Sequence, residues 1–170
     1  MIIAGDILVF KRNSKDIVSN VLSWILQRFE PDYDRKYWHT APVTKVTKKG
    51  CYTLDAERKG AKENFYTFDY IENNCQVYHW FDSPISQKKI DKFVKAHLGD
   101  TYDIGAYVGT IFFYLIFKIF HKSYCIYDRE QTCWELTSLF CRELGKPLQP
   151  IYEYPLISGM IRMLEGDCNG

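Results

Sequence analysis

The chain has 170 residues, of which 46% are hydrophobic and 25% charged, and its formal net charge is +1. This length and balance fit one soluble globular domain over residues 1–170, and exclude wholesale disorder and a polytopic membrane protein. The near-neutral charge leaves no electrostatic footprint for nucleic acid.

Met1-Ile2-Ile3-Ala4-Gly5-Asp6 opens without a basic region, an apolar core or a small-residue cleavage site, so no secretory signal is read and a cytoplasmic location is expected. Ile2 to Lys11 reads as a short strand, with a turn at Gly5-Asp6 and a continuous apolar run, Ile7-Leu8-Val9-Phe10, that suits a buried strand. Asn13 and Ser14 are cap residues for a helix over Asp16 to Phe29, which Glu30-Pro31-Asp32 ends. Tyr37 to Val46 is the next strand. Pro42 lacks a backbone donor, so this strand is expected at an edge, or beginning after the proline. Lys48-Lys49-Gly50 turns the chain into a strand over Cys51 to Glu57, and Lys59-Gly60 turns it again. Asn64 to Tyr70 is expected to be extended, and Cys75 to Phe81 to be a further strand. Asp82 to Ser86 leads into a helix over Gln87 to Leu98, with Ile90, Phe93, Val94 and Leu98 on one face. Gly99-Asp100 stops it.

Ile104 to Phe120 is apolar but falls short of the roughly 20 apolar residues a membrane span needs. It reads as a buried core helix, with contact to a membrane surface as the alternative. Thr132 to Leu144 is a helix that Gly145 caps and Pro147 closes. The tail, Ile151 to Gly170, has room for one more short helix.

The six cysteines form no CxxC pair and no Cys/His zinc spacing, so reduced thiols and no metal site are expected. Cys133 stands out by position. It sits where the loop Tyr127 to Gln131 meets a helix, and a helix start offers free N–H groups and positive dipole character. Both lower a thiol pKa and can hold an oxyanion. Cys141, inside the helix, and Cys51 and Cys75, in strands, read as core. A thiolate nucleophile needs a base, and His39, His79, His97 and His121 are the histidines available. A base in turn needs a group to orient its ring. Asp55 lies on the strand after His39, and if the two strands pair antiparallel across the Lys48-Lys49-Gly50 turn their side chains can be cross-strand neighbours. Glu57 shares that face at a spacing of two, so both carboxylates are candidates. Glu135, two residues past Cys133, reads as structural, as do Tyr102 and Asp103, and Gln131 is a minor candidate for an oxyanion donor.

Several of these segments, in this order, resemble the permuted branch of the papain-like, NlpC-type cysteine hydrolases. That branch holds the YiiX/YaeF-like amidases and, more distantly, the lecithin:retinol acyltransferase-like proteins. Gly5-Asp6-Ile7-Leu8-Val9-Phe10 is similar to the family's first strand. His39-Thr40-Ala41-Pro42-Val43 is similar to its histidine strand, and Leu54-Asp55-Ala56-Glu57-Arg58-Lys59-Gly60-Ala61 to its E-A-x-x-x-G-V segment. Leu98-Gly99-Asp100-Thr101-Tyr102-Asp103 resembles L-G-x-x-Y-D, and Thr132-Cys133-Trp134-Glu135-Leu136 resembles the C-S-E-L of the nucleophile helix. The sequence differs from the pattern in Pro42, in Trp134 where a small residue is usual, and in Asp55 where Glu is common.

The resemblance implies an α+β, permuted papain-like fold, with a small antiparallel sheet and the nucleophile helix packed against it. It implies a cysteine peptidase or amidase with Cys133 as nucleophile, His39 as base and Asp55 as third residue, without a cofactor. The implied substrate is peptide-like: a peptide, an isopeptide or a cell-wall peptide. The apolar stretch Ile104 to Phe120 keeps a lipid acyl hydrolase or acyltransferase as the alternative, and Pro42 and Trp134 keep a non-enzymatic binding module. Without a signal, a cell-wall substrate would be met through a phage or another export route.

Overall fold

The computed structural model describes residues 1–11, 37–57, 59–101, 133–147 and 164. The expected helix over 16–29, the apolar stretch 104–120 and Tyr102, Asp103, His121, Cys125, Gln131 and Cys168 lie outside the described residues, as does nearly all of the tail from 151. The described chain is α+β. Five strands form one antiparallel sheet: β1 (Ile7–Lys11), β2 (Tyr37–Val46), β3 (Gly50–Glu57), β4 (Gly60–Thr67) and β5 (Cys75–Tyr78). Their order across the sheet is β4-β3-β2-β1-β5. Three helices accompany them among the described residues: α1 (Phe68–Asn74), α2 (Gln87–His97) and α3 (Cys133–Glu143).

β1 explains its own apolar run. Ile7 and Val9 face one hydrophobic cluster and Leu8 and Phe10 face another, and all four are buried. A strand buried on both sides has no polar face to alternate. The first cluster contains α2 and α3. Ile90 and Phe93 enter it from α2, and Cys133, Leu136, Phe140 and Cys141 from α3. With Thr137, the buried positions of α3 fall at 133, 136, 137, 140 and 141, the one-sided stripe of a helix lying on a core. Phe140 stands edge-on to Phe93 at 5.1 Å between ring centroids. The last turn closes with Lys146 N–H donating to the Cys141 carbonyl at 3.0 Å and Gly145 N–H to that of Arg142 at 3.2 Å. Gly145 takes φ +97°, so this is the glycine-ended cap expected from the sequence.

The β2 expectation needs correction. β2 runs unbroken through Pro42 and occupies the middle of the sheet, not an edge. The proline fits because of where its missing donor would point. Val43 N–H donates towards β1, to the Asp6 carbonyl at 2.7 Å, so the amide of residue 42 faces β3, the other neighbour. The registered β2–β3 pairs run only from Val43 to Val46. Proline therefore removes no donor from that ladder. β2 also carries a bulge: Phe10 pairs with His39 but Lys11 with Tyr37. The extra residue inverts the alternation. Tyr37 joins the helix-side cluster, whereas Ala41 and Val43 join the opposite one.

Two further expectations shift. The segment expected to be extended over Asn64 to Tyr70 leaves the sheet after Thr67 and becomes α1. Thr67 caps that helix, its hydroxyl accepting from Tyr70 N–H at 3.2 Å, with Asp69 in the first turn. The strand expected over Cys75 to Phe81 ends at Tyr78.

Gly60 joins two segments that are distant in sequence. It turns β3 into β4 at φ +106°, and a Cβ there would lie 2.8 Å from the Asp100 carbonyl oxygen. Next to it, Ala61 N–H donates to that oxygen at 2.7 Å and Gly99 N–H returns a bond to the Ala61 carbonyl at 2.8 Å. Only a residue without a side chain permits both the turn and this approach.

Candidate active site

Cys133 is the first residue of α3, and α3 packs mainly on β2. The nucleophile candidate thus meets the strand that carries His39. Both side chains are buried, Cys133 at 5% exposure and His39 at 8%. His39 Nε2 lies 2.7 Å from Asp55 Oδ1, and Asp55 is buried as well. With Nε2 taken by the carboxylate, Nδ1 is the ring nitrogen left to face the Cys133 thiol, with which His39 shares a hydrogen bond. The structure thereby brings together Cys133, His39 and Asp55 from three separate elements.

Glu57 is not part of this chain of contacts. Its carboxylate accepts from Asn64 Nδ2 at 2.7 Å and pairs with Lys62 Nζ at 2.8 Å, on the half-exposed rim of the β3–β4 hairpin. Asp55 is held from the other side. The Thr53 hydroxyl donates to Oδ2 through a short hydrogen bond, and the Tyr66 hydroxyl reaches Oδ1 at 3.4 Å. Phe10 covers the His39 ring at 5.1 Å, and Tyr66 packs on Phe10 at 5.1 Å. A buried carboxylate with its oxygens satisfied by hydroxyls and an imidazole is a fixed orienting group.

The electrostatics single out one thiol. Burial pushes Cys51 up to about 11 and Cys75 and Cys141 up to about 12. Burial pushes Cys133 up too, and more strongly than any other single influence. The His39 charge, the His39 hydrogen bond and the N–H groups of Thr40 and Trp134 together outweigh it and hold the thiol below its ordinary value. His39 mirrors this. Burial alone would lower it, but the Cys133 charge and the Asp55 hydrogen bond raise it well above 6.5. Each charge favours the other, so the two groups are coupled in the direction of thiolate and imidazolium.

The other described histidines have different partners. His79 Nδ1 is 2.8 Å from Asp6 Oδ1, with its side chain 55% exposed. His97 bridges Asp100 at 2.8 Å and Glu143 at 3.3 Å, tying α2 to the end of α3. Of these three, His39 alone acts on the Cys133 thiol.

Thr53, Tyr66, Thr40 and Thr137 were not singled out from the sequence. Thr53 had a readable signal, standing two residues before Asp55 on the same strand face. Tyr66 becomes visible only through the β3–β4 register, in which it pairs with Cys51. Among the described residues no cluster of His, Cys, Asp and Glu is arranged to hold a metal ion, and no helix is long and apolar enough to cross a membrane. In comparison with known proteins, no family model matches the chain and no curated protein matches it.

Proposed function

We propose that the protein is a cysteine hydrolase of the permuted papain-like kind, acting on an amide bond of a peptide-like substrate. The observation that carries this reading is the buried Cys133–His39–Asp55 chain, in which one thiol of the four described is held below its ordinary value while the others are raised. A buried ion pair is costly unless it is paired and hydrogen-bonded, and an activated nucleophile is what such an arrangement provides.

The chemistry follows from the geometry. The Cys133 sulfur attacks the substrate carbonyl carbon, a C–S bond forms, and the carbonyl electrons move onto oxygen. N–H groups at the start of α3 stabilise that oxyanion. His39, protonated at the ring nitrogen facing the sulfur, gives its proton to the leaving amine as the C–N bond breaks. A thioester and a neutral imidazole remain. His39 then takes a proton from water, whose oxygen attacks the thioester. The acid leaves, the C–S bond breaks, and thiolate and imidazolium are restored. Asp55 holds the ring throughout.

The test is iodoacetamide labelling across pH in the wild type, Cys133→Ala and His39→Ala, with the labelled site read by mass spectrometry. The expected result is one fast site at mildly acidic pH that disappears in Cys133→Ala and slows in His39→Ala. A Cys133 that labels no faster than an ordinary free thiol would remove the proposal. Peptide amides and acyl esters, offered in turn, then distinguish an amidase from a lipid acyl hydrolase.

A further inference from the structure

Thr40 directly follows His39 on β2 and is 1% exposed. A buried hydroxyl needs a partner, and this one lies across the sheet–helix boundary. Thr40 Oγ1 is 3.2 Å from the Cys133 carbonyl oxygen and 3.1 Å from Thr137 Oγ1. Thr137, also buried, places its own hydroxyl 2.9 Å from the same carbonyl. Two hydroxyls carry two protons, so three contacts share two hydrogen bonds. Either both threonines donate to the carbonyl, or one donates to it and the other donates to its neighbour. In each arrangement Thr40 is bonded to α3, at the Cys133 carbonyl or at the Thr137 hydroxyl beside it.

The two threonines are not equivalent. The Thr137 bond to Cys133 runs back four residues within the helix and requires no strand. The Thr40 bond joins two elements, at the residue beside the base and at the main chain of the nucleophile. We propose that Thr40 is a positioning residue whose hydroxyl clasps the start of α3 to β2 and so sets the approach of the Cys133 sulfur to His39. This rests on the reading of Cys133 and His39 as a working pair. The local pairing supports it. Upstream of Val43, β2 lies beyond its registered pairs with β3, and the Thr40 N–H donates to the Cys133 sulfur instead. A drift of α3 away from β2 would lengthen that bond and the His39 bond together.

The test uses the full chain with Thr40→Val, Thr40→Ser and Thr137→Val. Cys133 alkylation by iodoacetamide is followed from pH 4 to pH 10, and a thermal melt is recorded for each variant. Valine fills the space of threonine without the hydroxyl, so Thr40→Val is expected to fold. Its acid limb should move up by about one unit, so that the alkylation rate on that limb falls about tenfold. Thr40→Ser restores the hydroxyl and should label within about twofold of the wild type. Thr137→Val should keep the wild-type profile, because the Thr40 hydroxyl lies within reach of the carbonyl without Thr137. A purely structural Thr40 would lower the melting temperature and leave the acid limb in place, and that result overturns the proposal. If Thr40→Val does not fold, Thr40→Ala carries the same comparison. A wild type with an ordinary thiol profile would remove the dyad itself. A shifted wild type with an equally shifted Thr40→Val removes only the clasp.

Discussion

Replacing Asp55 by Asn tests the charge at the third position with little change of shape. His39 Nε2 lies 2.7 Å from Asp55 Oδ1, and both groups are buried. An Asn carbonyl at that place still accepts the Nε2 proton, so the ring keeps its orientation. The amide nitrogen then faces the Thr53 hydroxyl, which must accept where it now donates. What is lost is the negative charge beside the imidazolium. A hydrogen bond to a charged group contributes about 1.5–3 kcal/mol and a neutral one about 0.5–1.5 kcal/mol. The difference, roughly 1–1.5 kcal/mol, corresponds to about a five- to twelvefold loss of the thiolate–imidazolium form. The assay is the pH-dependent rate of Cys133 alkylation, with substrate turnover alongside once a substrate is in hand. Asp55→Asn should slow alkylation on the acid side by about that factor. Glu57→Gln, at a carboxylate that pairs with Lys62 and accepts from Asn64, should label within about twofold of the wild type. An Asp55→Asn protein with the wild-type rate and acid limb would refute the coupling of Asp55 to the thiolate.

Wild-type alkylation should rise through an acid limb below the ordinary thiol value of 9.0 and then level off. The thiolate accumulates as pH passes upward through a lowered pKa, so a single climb centred near that ordinary value would contradict the ion pair. Turnover should fall again at high pH as His39, whose pKa is raised, loses the proton it gives to the leaving group. Phe140 is fully buried and edge-on to Phe93, so Phe140→Ala should cost about 3–5 kcal/mol in denaturant unfolding. A loss under about 1 kcal/mol would mean that α3 is not seated there. Gly60→Ala combines a positive φ with a 2.8 Å approach to the Asp100 oxygen, whereas Gly145→Ala has a positive φ and nothing within 4 Å. Both should lower the melting temperature, Gly60→Ala by more, and equal losses would show that the Asp100 contact plays no part.

Much of the fold is legible in local pattern. The run Ile7 to Phe10 marks a strand buried on both faces, and the spacing of Cys133, Leu136, Thr137, Phe140 and Cys141 marks a helix with one buried side. Gly145 marks where that helix ends. These features need only periodicity and backbone sterics, which neighbouring residues carry. The placement of Cys133 at a helix start and of His39 on a strand is readable for the same reason.

Tertiary structure decided the rest. Asp55 and Glu57 share a strand face, and no local rule separates them. Asp55 is the one enclosed by His39, Thr53 and Tyr66, while Lys62 and Asn64 occupy Glu57. Pro42 is tolerated in a central strand because its missing donor points to a side where the ladder has not yet begun. The bulge beside His39 inverts which residues of β2 face the helices, and one inserted residue is invisible to a two-residue period. Thr40 bonds across 93 positions of sequence to the Cys133 carbonyl. Such a contact is selected by the shared burial of two elements and by the requirement that buried polar groups find partners, and neither condition exists until the chain is folded.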